Sequence, residues 1–600
     1  MNHTASSKLI ALRQAMQQHD VAACMIPSAD PHLSEYLPGH WQARAWLSGF
    51  TGSAGTLVVT MHHAGVWTDG RYFDQATQQL AGTGIALMKQ RVAHAPEHIE
   101  WLREHLQAGQ TLAVAGDSVA LGTARALARR LGESGAAVRT DLDLPGMIWP
   151  DRPALPAAPV FEHALRYAVQ PRSDKLGRLR TAMRKLGATH HLVSSLDDIA
   201  WLTNLRGSDV ECNPVFLAHL LVQAEGPATL FVGRGKLDEA LVATLAADEV
   251  RVADYAAIAG ALAALGQHDR LLLDPARVVV SVAAAIPPEV DLVETANPST
   301  LSKARKSEAE LDHIRETMRR DGAALVRAFR RLEERVTAGM RQTELDVDSL
   351  LLEERSAQPD FVGESFSTIA GYMANGALPH YRATSEAHSA LKAEGLLLVD
   401  SGGQYLGGTT DITRVLALGE TTAEQRRDAT LVMKGMIGLS RARFPKGASG
   451  PQLDALARAP LWASGMDFGH GTGHGVGYFL NVHEGPQGIR PPVSGATLVP
   501  LEPGMISSIE PGLYKPGRHG IRHENLAVVI EADQTEFGEF YAFETLTLCP
   551  FDRRALEPSL LNPEERAWLD DYHATVRAAL APLLEDADLA WLERHCAPLA

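Results

Sequence analysis

At 600 residues the chain exceeds what one hydrophobic core supports, so about two to four domains are expected. It is 45% hydrophobic and 21% charged, an ordinary globular composition, and its net charge of -16 with no dense Lys/Arg block excludes a nucleic-acid partner. Cys24, Cys212, Cys549 and Cys596 lie far apart with no CxxC pair, which argues against a disulfide framework or a thiolate zinc site and fits a reducing, cytoplasmic setting.

Taken in order, the chain opens on an amphipathic helix in which Leu9, Ile10, Leu12 and Met16 are interleaved with polar residues. This stretch has no apolar core long enough for a signal peptide, and no later run approaches a membrane span, so no membrane partner is expected. The first third alternates strand candidates (VAACMIP, TLVVT, AGVW, TLAVAG) with helical patterns such as TARALARRLGESG and ends near the proline-rich MIWPDRPALPAAP. A second α/β pattern follows, with HHLVSS, FLAHLLVQ, ATLFVG, LLLD and VVVSVA as strand candidates. Trp46-Leu47-Ser48-Gly49-Phe50-Thr51-Gly52 in the first pattern corresponds to Trp201-Leu202-Thr203-Asn204-Leu205-Arg206-Gly207 in the second, which predicts a duplicated α/β domain. Two long helices come next, the first capped by Ser307 before Glu308 and Glu310. A glycine-rich, strand-like remainder completes an α+β region. The expected boundaries are 1–152, 153–304 and 305–600, the last with an extension from about 540.

Residues 396–418 read as a β-hairpin carrying Asp400 at the end of one apolar run and Asp411 in the next, with Gly402, Gly403, Gly407 and Gly408 between them for turn and bulge. Facing positions of that kind hold carboxylates about 5 Å apart, where they repel unless a cation lies between them. HGTGHGVG presents His470 and His474 on a loop or edge strand, since its glycines would each cost about 1 kcal/mol in a helix. In MISSIEPG, Glu510 closes a strand-like run, and in GIRHENLAVVI, Glu524 heads a β-branched one. Four ionised carboxylates with one imidazole are neutralised by two divalent cations, and Mn²⁺, Co²⁺, Fe²⁺ and Zn²⁺ all suit such donors. HExxH and GxGxxG are both missing from these segments, which excludes a zincin site and dinucleotide binding.

The strings DSG…TTDITR, HGTGHGVG, NVHEGP, IEPG and GIRHEN, in this order, resemble the metal-binding pattern of the methionine-aminopeptidase and creatinase superfamily with its "pita-bread" fold. SGFTGSAGT, WTDGRYF, LDDIAWLTNLRGSDVECNPVF and the block from YAFETLTLCPFD to AWLDDYHATVR are similar to the three-domain Xaa-Pro aminopeptidases of that superfamily. The resemblance implies two creatinase-like α/β domains before a pita-bread catalytic domain. It also implies a homodimer that releases the first residue of peptides with proline second, most simply with two Mn²⁺ ions. In that pattern Asp400 binds one metal, Asp411 and Glu524 bridge both, and His474 and Glu510 complete the other. Glu510 also acts as acid and base, His380, His483 and His470 surround the scissile bond, and Arg71, His380, His474 and His483 meet the peptide. His523, beside Glu524, departs from relatives with an apolar residue there and is placed to tune that ligand. A prolidase acting on Xaa-Pro dipeptides and a non-catalytic peptide-binding module of the same fold are the alternatives.

Overall fold

The computed structural model describes residues 4–90, 96–492 and 498–599. The chain divides into two compact units, Met1–Thr300 and Leu301–Ala600.

The first unit opens with helix α1 (Ala5–Gln18), which buries Leu9, Leu12, Ala15 and Met16 and leaves Ile10 58% exposed. At 3.6 residues per turn Ile10 lies about 100° from the stripe through Leu9, Leu12 and Met16, so the expected apolar face omits it. Two six-stranded sheets follow. The first comprises β1 (Ala23–Pro27), β2 (Thr56–Thr60), β3 (Ala64–Thr68), β4 (Ala86–Lys89), β5 (Thr111–Val114) and β6 (Ala137–Arg139), in the order β4-β3-β2-β1-β5-β6. The second comprises β7 (His190–Val193), β8 (Ala218–Gln223), β9 (Ala228–Val232), β10 (Val250–Asp254), β11 (Arg270–Leu273) and β12 (Asp291–Glu294), in the order β10-β9-β8-β7-β11-β12. In both sheets the second strand in sequence is antiparallel to its neighbours and the outer pairs are parallel. The predicted duplication is therefore a duplication of topology. Its sequence mark has a backbone cause: the helices containing Trp46 and Trp201 both end on a left-handed residue, Gly49 (φ 77°) in one copy and Asn204 (φ 53°) in the other. These are the residue types that tolerate that conformation best.

VVVSVA is not the expected strand. It turns into a short helix, Val280–Ala283, while Val278, Val279 and Val282 are still buried. Burial alone accounts for such an apolar run, whatever its backbone.

In the second unit, helix α2 (Glu308–Thr337) starts at the predicted Ser307, whose capping box closes with Glu310. Helix α3 (Glu344–Ser356) has an equivalent box between Thr343 and Asp346. Strands β13 (Phe361–Tyr372), β14 (Leu396–Tyr405) and β15 (Ile412–Ala417) form one antiparallel sheet with the two-residue strand Gly408–Thr409. Helices α4 (Ala423–Ser440) and α5 (Gly450–Trp462) follow. A second antiparallel sheet contains β16 (Ile506–Ile509), β19 (Asn525–Thr535) and β20 (Gly538–Thr545), and β17 (Gly512–Lys515) and β18 (His519–Arg522) form a separate hairpin. Helix α6 (Pro563–Leu580) packs its Leu569, Tyr572, Val576 and Leu580 into the main core. Among the described residues no helix is long and apolar enough to cross a membrane.

The predicted hairpin is present, with a different register. Asp400 does not end its strand, which runs on to Tyr405, and it faces Thr413; Asp411 stands one residue before β15. The two carboxylates are therefore diagonal rather than opposite. Gly402 is extended, not a turn residue, and its reason is proximity: a Cβ there would lie 2.0 Å from the Thr410 carbonyl oxygen and 2.2 Å from Ser365 Oγ.

Candidate metal centre

The two sheets of the second unit meet where the amide of Glu524 donates to the carbonyl of Thr413 (3.2 Å). Asp411 precedes β15, Glu524 precedes β19 and Glu510 follows β16, so three carboxylates project from strand ends around this junction. His474 arrives on the two-residue strand Gly473–His474, which pairs with Gly488–Ile489. Its neighbour Gly473 is glycine because a Cβ there would sit 1.9 Å from the Ser508 carbonyl oxygen. The His474 amide donates to Ser508 Oγ (3.0 Å), and that hydroxyl donates to Glu510 Oε1 (3.2 Å).

Ligand atoms of Asp411, His474 and Glu524 all lie within 4.8 Å of one another. His474 Nε2 is 3.4 Å from Asp411 Oδ2 and 3.5 Å from Glu510 Oε1. Asp400 Oδ2 accepts from Arg522 (2.5 Å), and among the described residues its buried Oδ1 has no hydrogen-bond partner. Glu524 Oε2 accepts from Thr413 Oγ1 (2.7 Å).

Burial pushes the Asp400 carboxyl up to about 6, with Asp411 and Glu510 adding to the rise and Arg522 opposing it. Burial likewise raises Glu524, helped by Asp411, Asp400 and Glu510, and it raises Glu510 against the pull of His474 and Arg522. Burial opposes the charge on His474, yet Asp411 and Glu510 outweigh it and hold the imidazole up at about 9. Crowded carboxylates around one imidazole, with an orphaned oxygen on Asp400, are the donor chemistry of a divalent-cation site, and these residues fit one.

The other predicted residues have the following surroundings. The His483 ring packs edge-to-face on His474, with centroids 4.2 Å apart. Its neighbour Glu484 is buried between two buried lysines, Lys306 at 2.9 Å and Lys303 at 3.0 Å, and the Glu484 amide donates to the Gly475 carbonyl (2.8 Å). His470 Nε2 lies 2.9 Å from Tyr514 Oη, which accepts from Arg522 (2.7 Å), so His470 is joined to Asp400 through two intervening side chains. His380 is half-buried in the loop after the turn Met373–Ala377. His523 faces Phe551 edge-on at 5.5 Å, and burial together with Arg414 pushes its imidazole down to about 3. On an extended chain His523 and Glu524 point to opposite faces. Arg71 belongs to the first unit, where Asp69 accepts from its Nε and Nη2, each at 2.8 Å. Arg522 escaped sequence reasoning, although its position two residues before Glu524 was a usable signal for the same face.

Family models match the chain in four segments. Residues 8–148 and 151–310 each match the creatinase/prolidase N-terminal domain, 312–531 match metallopeptidase family M24 and 539–599 match the C-terminal region of peptidase M24. A probable Xaa-Pro aminopeptidase P of Sordaria macrospora is 38% identical, with 100% of each chain covered. One from Laccaria bicolor is 39% identical over 100% of this chain and 94% of its own. The crystal structure of an X-prolyl aminopeptidase from Caenorhabditis elegans, described as a cytosolic enzyme with a di-nuclear active site, matches with a TM-score of 0.94 at 33% identity, covering 99% of this chain and 100% of that one. The chain belongs to the M24 metallopeptidases with creatinase-type N-terminal domains, in the Xaa-Pro aminopeptidase P family.

Asp400, Glu510 and Glu524 are all raised above ordinary carboxylates, so protons would compete with a cation held by them. Affinity for Mn²⁺ should rise with pH through about 6 and above, with protons released on binding. Calorimetric titration of the chelator-stripped protein in buffers of different ionisation enthalpy measures this, and a binding constant flat between mildly acidic and neutral pH would contradict it.

Proposed function

We propose that this chain is a metalloaminopeptidase that hydrolyses the bond between an N-terminal residue and a proline in second position. The observation that carries the reading is the convergence of Asp411, His474 and Glu524, with Asp400 and Glu510 beside them, in a chain alignable over its full length with Xaa-Pro aminopeptidase P proteins. Asp400 would hold one cation, Asp411 and Glu524 would bridge two, and His474 and Glu510 would complete the second. Mn²⁺ is the ion we assign to these mostly oxygen donors, and Co²⁺, Fe²⁺ or Zn²⁺ are compatible with the same set. We assign the protein to the cytoplasm, as a homodimer.

When bound, the cations supply the charge that lowers the pKa of a water and polarises the scissile carbonyl. Glu510 takes the proton released in attack and passes it to the departing nitrogen. That transfer is needed because proline leaves as a secondary amine, which must be protonated to depart. His380 and His483 donate to the carbonyl oxygen as it gains charge, an interaction stronger in the transition state than in the bound substrate. His474, as well as binding metal, borders the peptide, and His470 supports the site through Tyr514 and Arg522. Arg71, its guanidinium oriented by Asp69, recognises peptide carbonyls beyond the proline.

Cleavage of Xaa-Pro peptides should vanish with chelator, return with Mn²⁺ and fall steeply when alanine replaces proline; equal rates on Xaa-Pro and Xaa-Ala peptides would make the protein a broad aminopeptidase instead. Asp411→Ala should lose activity and one cation together, whereas Glu510→Gln should lose turnover by on the order of 10²-fold or more while keeping some metal; an Asp411→Ala protein with two tightly held cations would refute the bridging role. Arg71→Ala should weaken cleavage of tripeptides and longer substrates and leave metal content and Xaa-Pro dipeptide turnover nearly unchanged. A uniform loss at every length with a lower melting temperature would reduce Arg71 to a structural ion pair.

A further inference from the structure

His380 stands in the segment between β13 and β14, where the position of a side chain follows the path of the loop that carries it. Catalytic groups work only when held to within about half an ångström of the productive geometry. One residue ties this segment together. Glu344, the first residue of α3, has no solvent exposure. Its carboxylate accepts from the Tyr372 amide (2.7 Å) at the start of the segment and from the Ser389 amide (2.6 Å) near its end. Between them it accepts from Asn375 Nδ2 (2.9 Å to Oε1, 3.1 Å to Oε2) and from the hydroxyl of Tyr381 (2.8 Å), the residue after His380. The backbone repeats the closure: the Glu344 amide donates to the Ser389 carbonyl (3.1 Å), and the Leu391 amide donates to the Gln342 carbonyl (2.8 Å).

All four side-chain contacts of Glu344 are donors. An ionised carboxylate offers acceptors alone and satisfies all of them, whereas the amide of glutamine must turn an NH₂ toward groups that themselves donate. Donors bound to a charged acceptor are also held more firmly than neutral pairs. We infer that Glu344 is the positioning residue for His380: a buried carboxylate that closes the 372–389 loop around itself and so fixes where the imidazole stands during turnover. The inference rests on the role given to His380 above, and it assigns Glu344 no contact with substrate or metal.

The test is a double-mutant cycle in the Mn²⁺-loaded full-length enzyme with an Xaa-Pro tripeptide, using His380→Ala, Glu344→Gln and the double variant, with metal content measured for each. His380→Ala should lower kcat on the order of 10²-fold. Glu344→Gln should lower kcat on the order of 10- to 100-fold, with KM and two bound cations per chain retained. The double variant should be no slower than His380→Ala alone, since a displaced loop costs nothing once the imidazole is gone. Near-wild-type kcat for Glu344→Gln, or losses that multiply in the double variant, would overturn the positioning role while leaving His380 in place. Wild-type kcat for His380→Ala would instead strike at the role of His380 and remove the basis of this inference. If Glu344→Gln does not yield folded protein, Tyr381→Phe removes one donor and spares the carboxylate. Its expected loss of a few-fold in kcat should disappear in the His380→Ala background, and a Tyr381→Phe enzyme at full rate would count against the proposal.

Discussion

One buried guanidinium holds the strands of the candidate metal centre in register. Arg414, on the strand that begins just after Asp411, donates to the carbonyl of Glu524 (2.5 Å), to Asn525 Oδ1 (2.8 Å), to the carbonyl of Cys549 (2.7 Å) and to Tyr572 Oη (2.9 Å). A buried guanidinium with unused donors would be strongly destabilising, so its partners are constrained as firmly as it constrains them. Through it, the spacing between Asp411 and Glu524 is set by groups that are not themselves ligands. Tyr572 lies on α6, which makes the C-terminal region part of the centre's support rather than an appendage.

Electrostatics alternate in sign along the same wall. Around Asp411 and Glu524, negative charge accumulates and one guanidinium, Arg522, offsets part of it at Asp400. Around Glu484, two lysines converge on a single carboxylate. The first arrangement is poised to accept cations; the second has its charges satisfied from within and serves to hold the loop that carries His483 against His474. Glu484 alone is matched by two lysines, whereas Asp400, Asp411, Glu510 and Glu524 share Arg522 and His474, a difference in charge balance that burial alone does not reveal.

The candidate donors stand out in the sequence because each sits in a short string whose neighbours leave little freedom: glycines flank His474, proline stops the run after Glu510, and β-branched residues follow Glu524. The hairpin was legible as a hairpin, but alternation of side chains gives faces and not register, and Gly402 and Gly403 read equally well as turn residues. Only the closeness of Thr410 and Ser365 to Gly402, and of the Tyr405 and Phe361 rings to Gly403, shows why they are glycines. Arg522 and Glu344 were passed over for different reasons. Arg522 lies inside a motif whose histidine and glutamate drew the reading. Glu344 looks like any acidic residue in the first turn of a helix, and nothing local shows that a loop 28 to 45 residues away in sequence closes around it. The valines of VVVSVA misled because a buried turn and a buried strand have the same composition.

The order of the donors along the chain bears on how the protein is made. Asp400 and Asp411 leave the ribosome together, but His474, Glu510 and Glu524 follow in turn, and the helix whose Tyr572 meets Arg414 comes last. Between the synthesis of Asp411 and that of His474, a nascent chain offers a pair of aspartates without the imidazole or the opposing glutamates. Loop-closing contacts of such length form late in folding. The candidate centre is therefore completed late in the chain, and a truncation that removes α6 keeps every candidate donor while taking Tyr572 from the guanidinium that spaces them.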